Sequence, residues 1–405
     1  MKRLTITKNF LFLLLILFIS IPFISSRFLS NLYHTNTEIY TTLDNLSKTT
    51  CSKILSSFTL KDQETGNVLK YYAINSQNPS ISYAKGKSHK NSVVLLFGEH
   101  AREVISSELG LYIIQTLCSS QNKNESPYSK YTLKQILNQN NLIFIPIANE
   151  QGRTEIEKGN FCKRGNENDV DLNRNWDNHW DKSQHSKEEK PGSSPFSEWQ
   201  TRLIRNILLQ TQPTIFISTH SGLFSMYMPY GYKKLQIDQY DNKMKAMSEI
   251  LNELNDKYCK CSVGTIADKL PYTTNGTEID YAYETLGIKY TFAFEIYNGE
   301  NNNKYFTELF KKDVKDVPIF DYAKFKSRNF LQMKTSTTLQ RTHNYVKEDE
   351  QPCVVDYKEK VEDMFKYCIV NKNPLTKIEY DRTLINWTNV YFELFSMVFN
   401  KENSI

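Results

Sequence analysis

His100 and Glu103 stand three apart in FGEHAREV, residues 97–104, directly after the apolar run Val93-Val94-Leu95-Leu96. An imidazole and a carboxylate at that spacing can hold one metal ion from a strand end and the turn after it. Alone the pair is weak, because a chain with seven His and many Glu carries H-x-x-E by composition. Further along, His220 follows the apolar TIFIST, and Glu295 lies near the end of YTFAFEI. Two imidazoles and one carboxylate, with a fourth position open to water, form a catalytic zinc arrangement, whereas structural zinc is closed by four protein ligands. Calcium or magnesium would demand mostly oxygen donors, which this set lacks. As lone residues His100 and His220 would be ordinary hydrogen-bonded histidines. Together with Glu103 they point to metal.

These residues need elements that bring them to one place. Apolar runs predict strands over 92–98, 142–148, 213–219 and 289–296, and amphipathic stretches predict helices over 103–118, 196–210, 240–257, 277–286 and 376–399. Such alternation predicts an α/β fold, with a mixed, largely parallel central sheet flanked by helices. In sheets of this kind ligands bind outside the carboxyl ends of the strands. That is where His100, Glu103, the segment NEQGR, His220 and Glu295 fall. Strand alternation sets Glu295 with Thr291 and Ala293, opposite the Phe rings and Ile296. A carboxylate there is costly unless paired or used, and beside water activated at a metal it becomes a general base. A third cluster, CKRGNENDVDLNRNW at 162–176, offers Arg164, Asn173 and Arg174, donors suited to carboxylate or carbonyl oxygens.

Composition bounds the rest. The chain has 405 residues, 40% apolar and 13% aromatic, enough for a sizeable core. Residues 1–26 have a basic start, an apolar run from Phe10 to Ile24 and then Ser25-Ser26, the layout of a secretory signal peptide; an uncleaved anchor is the alternative. Removing Lys2, Arg3 and Lys8 from the net charge of +5 leaves +2, too little to suggest nucleic acid as a partner. Cys51, Cys118, Cys162, Cys259, Cys261, Cys353 and Cys368 would then meet an oxidising compartment, where disulfides persist. The odd count leaves at least one of them unpaired within the chain. A local Cys353–Cys368 pair is one expectation, and Cys259 and Cys261 are read as disulfide or buried thiol. Sequons at Asn45, Asn124, Asn275 and Asn386 could carry glycans. His89, His179 and His185 lie in polar stretches and are expected to be solvated. Ile385, Val390, Leu394 and Val398 fall near helical spacing, so a final helix should pack back on the sheet. The chain is therefore divided into a signal peptide at 1–26, the main part of a catalytic domain at 27–297, an insertion at 298–372 and a closing helix with tail at 373–405.

At this point the sequence resembles the zinc metallocarboxypeptidases, the family of pancreatic carboxypeptidases A and B. The matching pieces are GEHAREV, Arg164-Gly165-Asn166, VDLNRNW, His220-Ser221 leading to PYGY, PYTTNGTEIDYAYETLGIKY and TFAFEIY, in the family's order from about residue 34 to 297. YHTNTEIYTTLDNL at 33–46 also resembles the opening of the mature enzymes. The resemblance implies that His100, Glu103 and His220 bind one zinc ion and that Glu295 activates water. It implies that Arg164 stabilises the oxyanion, that Asn173, Arg174 and Tyr272 hold the substrate's terminal carboxylate, and that Arg102 assists further out. The implied partner is a peptide or protein C-terminus, acted on by a secreted or lumenal monomer.

Three departures shape the expectations. Only a few residues separate Ser26 from the match at Tyr33, which leaves no room for the family's inhibitory prosegment and predicts activity without trimming. Gly222 stands where the pancreatic enzymes carry a tyrosine, which would open the subsite beside the scissile residue. The stretch 298–372 has no counterpart. By resemblance Ile279 falls at the bottom of the specificity pocket, with Gly231 and Ala293 lining it. Family members that prefer Lys or Arg carry aspartate at that position, so bulky neutral residues are the expected leaving groups here. A one-residue shift bringing Glu278 or Asp280 inward would reverse this.

Overall fold

In the computed structural model, residues 32–75, 91–119, 136–137, 140–183, 188–299 and 366–402 are described. The signal-like segment, Cys353, His89, His185, Asn124 and most of 298–372 lie outside them. Eight strands form one sheet: β1 (Leu55–Lys61), β2 (Val68–Ile74), β3 (Asn91–Leu96), β4 (Asn140–Ile145), β5 (Ile215–His220), β6 (Phe224–Met228), β7 (Ser262–Thr265) and β8 (Tyr290–Ile296). Their order is β1-β2-β4-β3-β5-β8-β6-β7. The four central strands β4, β3, β5 and β8 are mutually parallel, while β2 and β6 flank them antiparallel. The expected mixed, largely parallel sheet is therefore present, and its central carboxyl ends share one edge.

Period-2 alternation explains the layering. Val93, Leu95, Leu142, Phe144, Ile215, Ile217, Phe292 and Phe294 enter one apolar cluster; Val94, Leu96, Ile143, Ile145, Phe216 and Ala293 enter the other. The first cluster is covered by helices Val104–Ser119, Asn242–Leu254 and Lys377–Glu402, the second by Trp199–Thr211. Each fully buried Leu, Ile or Phe contributes about 1.5–3 kcal/mol. Helix Asn36–Lys48 begins at a capping box, in which Thr35 and Glu38 satisfy each other's backbone N–H groups.

Three expectations are corrected. Cys368 pairs with Cys162, across 206 residues, rather than with Cys353. The end of the 298–372 stretch is thus stapled to the loop before Arg164. Cys51–Cys118 and Cys259–Cys261 are the other described pairs. The Asn386 sequon is buried, its amide donating to the Tyr258 carbonyl, so no glycan fits there in the folded chain. Ile385 is exposed, because the last helix buries Leu384, Trp387, Tyr391, Leu394 and Val398, a stripe that Ile385 misses.

Candidate metal centre and active site

β3 leaves the sheet through Gly98, at φ +65°, where an added Cβ would stand 2.5 Å from Ser107 Oγ. Glycine is required for that turn. Ser106 Oγ accepts from the Gly98 amide at 2.8 Å, and the Arg164 carbonyl accepts from that of Ala101 at 2.9 Å. His100 and Glu103 sit on this fixed loop and are buried, as is His220 at the end of β5. His100 Nδ1 lies 3.0 Å from Glu103 Oε1 and 3.1 Å from His220 Nδ1. His220 Nδ1 lies 3.4 Å from Glu103 Oε2. Donors bound tetrahedrally to one zinc ion at ~2.0–2.1 Å stand about 3.3 Å apart, so this trio fits zinc. Burial pushes the Glu103 carboxyl up, but both imidazoles outweigh it and hold it well below the usual range.

A second carboxylate competes for the third place. Glu99, His100 and His220 also bring ligand atoms within 4.8 Å of one another. Glu99, however, approaches His220 at Nε2, at 3.6 Å, a nitrogen already 2.8 Å from Ser218 Oγ. The Nδ1 edge, where both rings and Glu103 converge, is the better-formed donor set.

The outer nitrogens have their own partners. His100 Nε2 is 3.0 Å from Asp171 Oδ1, and Asp171 also accepts from Arg164 Nε at 2.9 Å. Burial raises Asp171, yet Arg164 and His100 bring it well below the ordinary value. His220 Nε2 faces Glu278 Oε1 at 3.3 Å. Glu99 and Glu278 are both buried, and neither oxygen of Glu99 nor Oε2 of Glu278 has a hydrogen-bond partner among the described residues. Burial, then Glu278, push the Glu99 carboxyl well above its usual range.

The remaining expected residues divide. Arg164 reaches the centre, with Nη1 3.5 Å from Glu103 Oε1. Asn173 Nδ2 is 3.5 Å from His220 Nε2. Arg174 binds Glu189 at 2.5 Å and its neighbour's carbonyl at 2.8 Å. Tyr272 is half exposed. Arg102 is buried and donates to Glu188 Oε2 at 2.8 Å. Gly231 donates its amide to both oxygens of Asp280. Ile279 is fully buried in the apolar cluster that contains Ala293. Glu295 is the one residue of β8 that is not buried, and its Oε2 accepts from the Leu223 amide at 3.3 Å. Burial and Glu103 raise its pKa, while His220 and Lys372 pull it back. His179 is half exposed, its ring stacked on Tyr232 with centroids 3.6 Å apart.

Glu99, Asp171, Ser218, Glu278 and Lys372 also neighbour the centre, though no sequence pattern marks them as a group. Asp171 and Ser218 each precede a site residue by two positions, Asn173 and His220, within the same short run.

The chain belongs to the zinc carboxypeptidase family, whose model matches residues 39–314. It is 28% identical over 233 residues to mast cell carboxypeptidase A of Rattus norvegicus, covering 53% of this chain and 54% of that one. It is 26% identical over 280 residues to a zinc carboxypeptidase of Simulium vittatum, covering 65% and 85%. The chain spans about half the length of several of the curated relatives it matches. Its fold is shared with bovine thrombin-activatable fibrinolysis inhibitor, at TM-score 0.53 and 22% identity, over 65% of this chain and 86% of that one. Zinc is the metal this family carries. No described helix is long and apolar enough to cross a membrane.

Proposed function

We propose that the chain is a zinc-dependent exopeptidase hydrolysing the C-terminal bond of peptides, with His100, Glu103 and His220 as the metal ligands. The observation that carries this is the convergence of two Nδ1 atoms and the Glu103 carboxylate at 3.0–3.4 Å, with Glu295 in register beside His220. Zinc there supplies Lewis acidity toward the scissile carbonyl and acidifies water. Glu295, whose exposure fits a role toward solvent and substrate, takes the proton from the attacking water and delivers it to the leaving amine. Arg164, held in place by Asp171, offers N–H donors to the oxygen on which charge grows. Asp171 fixes the His100 ring by accepting at Nε2. Asn173, Arg174 and Tyr272 hold the terminal carboxylate, for which Glu189 keeps the Arg174 fork in place. Secretion or delivery to a lumen fits the signal-like first 26 residues and the three disulfides.

The released residue is bulky and neutral on this reading, because Ile279 lies in an apolar cluster and Asp280 is tied to the Gly231 and Tyr232 amides. A basic preference is favoured by one observation, the unpartnered buried oxygens of Glu99 and Glu278. Blocked dipeptides assayed with zinc, and again with a zinc chelator, test the main reading. Chelator-sensitive release of single C-terminal residues is expected. Internal cleavage, or no release by zinc-loaded protein, would overturn it.

A further inference from the structure

Glu99 and Glu278 are buried carboxylates for which the zinc site has no use. They are 1% and 0% exposed. Both oxygens of Glu99 and Oε2 of Glu278 lack a hydrogen-bond partner among the described residues. Other acids around the centre are matched by arginine: Glu103 and Asp171 by Arg164, Glu189 by Arg174 and Glu188 by Arg102. Among the described residues, Glu99 and Glu278 make ion-pair contacts with His220 alone.

The two acids approach the same ring nitrogen. Glu99 Oε2 lies 3.6 Å from His220 Nε2, and Glu278 Oε1 lies 3.3 Å from it. Ser218 Oγ stands nearer, at 2.8 Å, and Asn173 Nδ2 is at 3.5 Å. With Nδ1 given to zinc, Nε2 keeps its hydrogen, and Ser218 Oγ is the acceptor in closest reach. That N–H is therefore taken, and the free carboxylate oxygens stand beside it without a donor. One proton shared between the acids would serve at most two of the three oxygens.

Backbone contacts fix both acids. Asn149 Nδ2 donates to the Glu99 carbonyl at 3.1 Å, on the loop that leaves β3 through Gly98. The Glu278 amide donates to Asn173 Oδ1 at 3.3 Å, at the head of the short turn Glu278–Asp280 that Thr277 caps. Ser218 belongs to β5 and is fully buried. Three separate segments thus turn oxygen atoms toward one place. Buried charges of this kind are paired or coordinate a metal.

We infer that Glu99 and Glu278, with Ser218 at the edge, bind a second cation on the Nε2 edge of His220, a hard divalent ion of the Mn²⁺, Mg²⁺ or Ca²⁺ class. The atoms left to bind it are all oxygens, which suits these ions better than zinc. This rests on zinc occupying the Nδ1 edge in the exopeptidase reading and adds a site that reading does not need. The ion neutralises both acids and ties the loop after β3 to the turn that carries Ile279. It also leaves no free carboxylate for a basic substrate side chain.

The test titrates Mn²⁺ into protein already holding one zinc per chain. Bound Mn²⁺ is read from loss of the free ion's electron paramagnetic resonance signal, and zinc from elemental analysis of the same sample. About one further ion per chain should bind below about 1 mM, with zinc unchanged, and Ca²⁺ or Mg²⁺ should compete for it. Glu99→Gln and Glu278→Gln should each weaken that binding about tenfold or more while zinc stays in place. Mn²⁺ should raise the melting temperature of the wild type and not that of the double variant. No uptake by the zinc-loaded wild type, or uptake unchanged in both variants, overturns the inference and leaves the exopeptidase reading standing. Loss of zinc itself from both variants would place zinc on the Nε2 edge, overturning the inference together with the ligand assignment.

Discussion

His220 and Glu295 are direct register partners on the parallel strands β5 and β8. In-register neighbours point to the same side of a sheet, so one hydrogen-bonding register delivers an imidazole ligand and a carboxylate to one spot. Neither side chain depends on a loop for its placement. Replacing Glu295 by Gln keeps the shape and removes the proton acceptor. Turnover should fall about 10²–10⁴-fold while zinc content stays at one per chain. Near-normal turnover in that variant would take Glu295 out of the mechanism.

Asp171 holds His100 at 3.0 Å and Arg164 at 2.9 Å. Partners of this kind typically change metal affinity 10–100-fold when lost. Asp171→Asn should weaken zinc retention by that order in chelator competition, with unchanged far-UV circular dichroism. Unaltered retention would reduce Asp171 to a structural acid.

Glu108 is buried and ties three segments together. It accepts from the His34 backbone amide at 2.8 Å and from Tyr380 at 2.7 Å, and lies 2.8 Å from His34 Nδ1. The hydrogen bond to Glu108 raises the His34 pKa above its ordinary value, against burial. A raised folded-state pKa means that the pair's contribution is full below about pH 6.5 and fades as pH climbs through the folded value. The melting-temperature gap between wild type and His34→Gln should therefore be wider at pH 6 than at pH 9. A gap independent of pH would show that the ring stays uncharged.

The Cys162–Cys368 bridge closes a span of 206 residues. Replacing both cysteines by serine should lower stability by about 2–5 kcal/mol in denaturant titration, the usual cost for a native disulfide. Full stability in the double variant would mean that the pairing does not form in the folded protein.

How far the sequence could be read depended on how much signal each segment carries alone. The four central strands are buried on both faces, so Val93–Leu96 and Ile215–Ile217 read as plain apolar runs, and residues at their carboxyl ends could be placed on one rim. The outer strands carry less apolar signal. Leu55–Lys61 alternates with polar positions, and Ser262–Thr265 has four residues and a glycine. Covalent connectivity was out of reach, since cysteine spacing does not fix pairing and Cys162 and Cys368 meet only through the tertiary fold. In sequence Glu278 is only the neighbour of Ile279, whereas in the fold its carboxylate faces His220.

The identity of the released residue is the sharpest remaining test. Ile279 is fully buried, with Ala293 and Tyr227 in the same apolar cluster, and Asp280 accepts from two backbone amides instead of turning into that space. Burying an aromatic or aliphatic side chain against such a surface gains ~1.5–3 kcal/mol, about ten- to a hundredfold in kcat/KM. Desolvating a Lys or Arg head there without a partner costs several kcal/mol. Peptides ending in Phe, Tyr, Leu, Ile or Met should thus be cleaved at least tenfold faster than matched peptides ending in Lys or Arg. Ile279→Asp should narrow or invert that ratio by giving the cation a partner. Glu278 and Glu99 supply the opposing case, because a cationic side chain reaching their unpartnered oxygens would relieve two buried carboxyl groups at once. Faster release of Arg by the wild type would therefore sink the apolar pocket, and its loss in Glu278→Gln would identify the carboxylate responsible.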